Sequence, residues 1–139
     1  MSTNPIDQDL SRWYQSRRVR PTAAQDRAAR LAIEWSRTMG LRLPPYRLEF
    51  VRREYPDDAR GHCFHFRRPV AVYVLADLTP EQVVETVLHE LQHVADSGDA
   101  EMPPDEREER AEAFTLRALA ALAEHQARWA AFEARAGLR

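Results

Sequence analysis

The chain contains no lysine: all 20 of its basic residues are arginine. That points to an arginine-biased coding background more than to selection for a basic surface. Cys63 is the one cysteine, so no internal disulfide can form, and a reducing, cytoplasmic setting is expected. No run approaches the roughly 18 apolar residues of a membrane span, and the N-terminus lacks the apolar stretch of a signal peptide. No membrane partner is expected. Internal repeats and low-complexity segments are also missing. What is present is a chain of 139 residues, 44 % hydrophobic, enough for one domain with a real core and too little for two comfortable ones.

The net charge of −2 conceals an asymmetry. Residues 1–76 hold 14 arginines against 8 acids, whereas residues 77–139 hold 14 acids against 6 arginines. The basic half suits an acidic partner. The acidic half coincides with the chemistry described below.

Residues 1–20 are polar and basic and read as a loosely held arm preceding one domain at 21–139. From Pro21 or Thr22, Ala28, Leu31, Ala32 and Trp35 recur at helical spacing, with Thr22 as a cap and Gly40 as a stop. After Leu43-Pro44-Pro45, alternation at Tyr46, Leu48 and Phe50 predicts a strand, and His62 to Arg68 alternates again around Phe64 and Phe66. Val70 to Leu75 is an apolar run of β-formers, a buried strand. The period then changes. Thr79-Pro80-Glu81-Gln82 begins a helix, and Val84, Val87, Leu88, Leu91 and Ala95 give it an apolar stripe. Past Gly98 and Met102-Pro103-Pro104, a long helix is predicted from about Asp105 into the 130s, with Leu119, Leu122, Trp129 and Phe132 as core candidates. The fold class is α+β: an N-terminal helix, a small, mostly antiparallel sheet, a helix carrying the motif and a long C-terminal helix.

That motif is His89-Glu90-Leu91-Gln92-His93, an H-E-x-x-H pattern. Residues four apart on a helix share a face, so two imidazoles can reach one Zn2+ ion. Glu90, rotated around the helix, is placed to hold and deprotonate a water activated by the ion. With 5 histidines in the chain, composition alone produces this pattern on the order of 1–2 % of the time. A third ligand is required. Glu108, Glu109 and Glu112 are candidates, Glu108 first. Glu108 and Glu112 share a face, as a ligand and an acid supporting a liganding histidine would. Asp105-x-x-Glu108 also reads as a capping box. Asp99, ten residues past His89, is the position used by the extended H-E-x-x-H-x-x-G-x-x-H/D pattern, but Asp96 stands where that pattern has glycine.

Taken with the strand and capped helix before it, "TVLHELQH" followed by "EERAEAF" resembles the minimal gluzincins, in particular the ImmA/IrrE-type metallopeptidases. The resemblance covers roughly residues 70–120. It implies a zincin-like fold, a zinc site at His89, His93 and Glu108, and Glu90 as the catalytic glutamate. It also implies a cytoplasmic protein or peptide substrate. Position 112 is Glu where that family usually has Asn or Asp, Gln92 stands where a small residue often precedes the second histidine, and 14 residues between His93 and Glu108 is a short spacing for it.

Other residues read more simply. His62 and His65 are expected to flank the sheet, Tyr73 to pack on it, His125 to pack along the last helix and Cys63 to be a small strand residue. Arg12-Trp13-Tyr14 with Arg17, Arg18 and Arg20 suits backbone contacts and base stacking on nucleic acid, though a solvated basic arm suffices. The leading expectation is peptide-bond hydrolysis. The alternative is a non-catalytic regulatory or nucleic-acid-binding module that retains a zinc site.

Overall fold

A computed structural model describes residues 5–56 and 59–137. Its order is α1 (Pro5–Gln15), α2 (Ala23–Thr38), β1 (Tyr46–Val51), β2 (Gly61–Phe64), β3 (Val70–Leu75), α3 (Pro80–Ala95), a 3-10 turn (Asp96–Gly98) and α4 (Pro104–Ala136). The class is α+β. No helix among the described residues is long and apolar enough to cross a membrane.

The three strands lie in the order β1-β3-β2. β3 pairs antiparallel with β2 but parallel with β1, Tyr46 opposite Val70 and Val51 opposite Leu75. The sheet is therefore mixed, not mostly antiparallel as expected. The chain leaves β1, forms β2 on the far edge and returns β3 between them, so β1 and β3 are joined by a crossover and must run the same way. All six β3 residues are buried, because the strand is central and covered on both faces. Tyr73 stacks on Tyr14 of α1, with ring centroids 5.1 Å apart. By strand alternation Val70, Val72 and Val74 then face the other way, toward the helical layer of α2 and α3.

Both helices of that layer start on capping boxes. In α2 the Gln25 N–H donates to Thr22 Oγ1 and the Thr22 N–H to Gln25 Oε1; Thr79 and Gln82 repeat the arrangement in α3, with Pro80 at the first helical position. Ala28, Ala29 and Ala32 are buried and let α2 lie close. Val83, Val87, Leu88, Leu91 and Val94 of α3 are fully buried. This face is wider than the expected stripe, in which Val84 and Ala95 prove only half-buried. The reason is that α3 packs on the sheet, α2 and α4 at once.

The end of the segment read as a loose arm, residues 17–19, pairs with β1 and the residue after it. Val19 N–H donates to Phe50 O at 2.9 Å, and the Arg18 backbone bridges to Val51. Arg17 is buried, donates to the Arg52 carbonyl at 2.6 Å and stacks over Trp13. Its guanidinium serves the fold rather than a solvated surface. Residues 1–4 lie outside the described residues.

At the other end, α4 has 33 residues, about 50 Å at 1.5 Å per residue. Its last buried residue is Leu122, with Leu119 half-buried beside it. Trp129 and Phe132, expected in the core, are 56 % and 45 % exposed. The helical stripe continues, but Trp129 and Phe132 lie beyond the part of α4 that packs on the other elements. His125 stacks against Trp35, whose indole N–H donates to the Ala118 carbonyl at 2.9 Å.

Candidate metal centre

His89 and His93 share one face of α3, their rings 5.0 Å apart and nearly perpendicular. Both Nε2 atoms turn to Glu108, His93 at 2.8 Å from Oε1 and His89 at 3.2 Å from Oε2. These three side chains form a group able to hold a metal ion, their donor atoms within 4.8 Å of one another. Ligands about 2 Å from a tetrahedral zinc stand roughly 3.3 Å apart, and the two histidine–Glu108 distances, 2.8 and 3.2 Å, lie near that value. Burial lowers the His93 pKa, opposed by the Glu108 carboxylate. A neutral imidazole is the form that binds a metal.

Glu108 reaches this point because of how α4 begins. The cap is Pro103, with no side-chain capping bond, and Pro104 opens the helix. The capping box read at Asp105 and Glu108 is not formed; Asp105 lies inside the first turn, and the Glu108 carboxylate goes to the histidines instead. Next to it, Arg107 is buried and donates to the carbonyls of Asp96 at 3.0 Å, Met102 at 3.3 Å and Asp99. Arg110 grips the Asp96 carboxylate with two bonds of 2.9 and 3.0 Å. The end of α3 is thus tied to the start of α4, and a spacing of 14 residues suffices.

The other candidate ligands do not join the group. Asp99 uses Oδ1 to accept the Glu101 N–H at 3.1 Å, closing a local turn. Glu109 is exposed. Glu112 lies one turn beyond Glu108 and lines a cleft of about 490 Å³ that opens from the site.

Glu90 is 6 % exposed and packs between α3 and β2. Burial, and secondarily the Glu108 charge, pushes its pKa up to about 8. No hydrogen bond to its carboxylate occurs among the described residues, and it borders both the Glu112 cleft and a second cavity of about 450 Å³. Gly61 makes this position available. A Cβ there would lie 2.7 Å from Thr86 Cγ2, 3.1 Å from Glu90 Cγ and 3.2 Å from the Tyr73 carbonyl. Gly61 is the first residue of β2, one residue ahead of the alternation that starts at His62, and the missing side chain lets α3 lie against the strand. Neither Gly61 nor the Arg107–Asp96–Arg110 clamp carried a spacing signal that would have revealed it.

His62, Cys63 and His65 border the second cavity with Arg107. Burial, then the Glu90 charge, raises the Cys63 pKa, so the thiol stays protonated. Tyr73 is buried on the α1 side of the sheet and stacked on Tyr14, away from the histidines. No protein-family model, curated protein or solved structure matches this chain.

Proposed function

We propose that the protein is a zinc-dependent peptidase in which His89, His93 and Glu108 hold the ion and Glu90 is the general base. The observation that carries this reading is the convergence of both Nε2 atoms on Glu108 beside a buried, unbonded carboxylate. Two imidazoles and one carboxylate are a donor set that suits zinc and leaves a position open for water or substrate. Bound zinc would supply Lewis acidity, polarising a peptide carbonyl and acidifying water. Glu90, free of other hydrogen bonds, takes the proton of the attacking water and returns it to the departing amine. The peptide lies along the outer side of β2, an edge strand beside α3, and adds to the sheet as an extended segment. The zincin-like, gluzincin character expected from the motif belongs to this reading.

The test is hydrolysis of a random peptide library by zinc-loaded wild type and Glu90→Gln. Cleavage by wild type, reduced at least about 10²-fold in the variant while its zinc content is unchanged, supports the proposal. Equal cleavage by both, or none by fully loaded wild type, rejects it.

A further inference from the structure

We propose that the Glu112 cleft accepts an arginine or lysine side chain of the bound peptide, so that the favoured substrates are basic on one side of the scissile bond. The inference rests on the peptidase reading and adds the substrate class. The cleft starts at His89, Glu90 and Glu108 and continues along α4 past Glu112, Thr115 and Leu116. Glu108, Glu112 and Leu116 follow one another at one-turn steps and so share a face.

Two features of that face are unusual together. Leu116 is 72 % exposed, the most exposed large apolar side chain among the described residues. Glu112 has no hydrogen bond or ion pair among the described residues, whereas the cleft's other peripheral acid, Glu85, lies 4.0 Å from Arg60. A bare aliphatic surface thus stands beside a carboxylate without a counter-charge. A long cationic side chain satisfies both, its methylenes covering Leu116 and its head meeting Glu112. An apolar side chain would desolvate Glu112 with no return, and an acidic one would meet like charge. The cavity on the other side of Glu90 is different: beyond Glu90 and Glu108, which it shares with the cleft, it has no further acid and is lined by His62, His65 and Arg107. The preference is therefore one-sided.

The test uses zinc-loaded Glu90→Gln protein, which should bind a peptide without cutting it. Two fluorescein-labelled heptapeptides of alanine are compared, one with a central arginine and one with its neutral isostere citrulline. Fluorescence anisotropy should show the arginine peptide binding about three- to fivefold tighter, the range of an exposed ion pair. The advantage should shrink in about 0.5 M salt and vanish in Glu90→Gln/Glu112→Gln, whose zinc content should be that of the parent. Equal affinity for the two peptides, an advantage that survives Glu112→Gln, or no binding of either would overturn the inference. Failure of the peptidase reading looks different: wild type would cut no library peptide at full zinc loading while the arginine advantage persisted.

Discussion

The two faces of the sheet are packed by different means. On one, Tyr14 of α1 meets Tyr73, Phe64 and His62 in a cluster of rings with centroids 5.1 to 5.9 Å apart. Contacts of this kind bury large apolar areas and tolerate small shifts. On the other, α3 approaches β2 so closely that Gly61 has no room for a methyl group, and a carboxyl group, Glu90, is enclosed at the contact. Enclosing it costs stability, as its raised pKa records. The aromatic face contributes packing alone; the α3 face, which also carries the fully buried Val83, Val87, Leu88, Leu91 and Val94, gives up some stability to place an acid beside a pair of histidines. Functional sites are where such local penalties are expected.

The comparison is broken most forcefully by neutralising Glu90. Its carboxyl has a pKa of about 8 in the folded protein against 4.5 ordinarily. The folded state therefore keeps a proton that the unfolded chain gives up. Its contribution is fully present below pH 4.5 and is lost as pH rises through about 8. In chelator-treated, metal-free protein, Glu90→Gln should remove this loss. Relative to wild type it should gain on the order of 3–5 kcal/mol between pH 4 and pH 9, measured by urea unfolding at both pH values. A pH-independent difference between the two proteins would show that the carboxyl is not enclosed as described.

The next test separates the faces. Gly61→Ala and Tyr14→Ala should each cost about 2 kcal/mol, the first by overpacking and the second by lost ring contacts. Only Gly61→Ala should also disturb the site. Peptide hydrolysis should fall at least about tenfold in Gly61→Ala, because a small displacement of a base is costly, and by less than about twofold in Tyr14→Ala at equal folded fraction. Similar losses in both would mean that the two faces are not independent.

These faces were unequally legible in the sequence. The α3 side was readable in outline, since Thr79, Pro80 and Gln82 announce the helix start and His89 and His93 fall four apart, with Glu90 directly after the first. Glu108 was legible as the leading candidate, but its approach to the two histidines was not, because its place depends on Arg107 and Arg110 tying α4 to Asp96, contacts across a turn that no periodicity encodes. The parallel pairing of β1 with β3 was illegible for a similar reason: alternation identifies strands, whereas their order follows from the path of the connection. Trp129 and Phe132 keep the spacing of a buried stripe and yet lie exposed, since burial needs a partner surface as well as a pattern. The docking of residues 11–19 was hidden by their arginines, one of which is buried.

The central claim is that His89, His93 and Glu108 form one metal site, and metal content tests it most directly. Wild type, His93→Ala, Glu108→Ala and Glu112→Ala would be purified without chelator, supplied with zinc, desalted and analysed for bound metal, with folding checked by circular dichroism. The account predicts one zinc per chain in wild type and in Glu112→Ala, and affinity weakened roughly 100-fold or more in the other two variants. Zinc retained by Glu108→Ala and lost by Glu112→Ala, or no zinc bound by folded wild type, would contradict it.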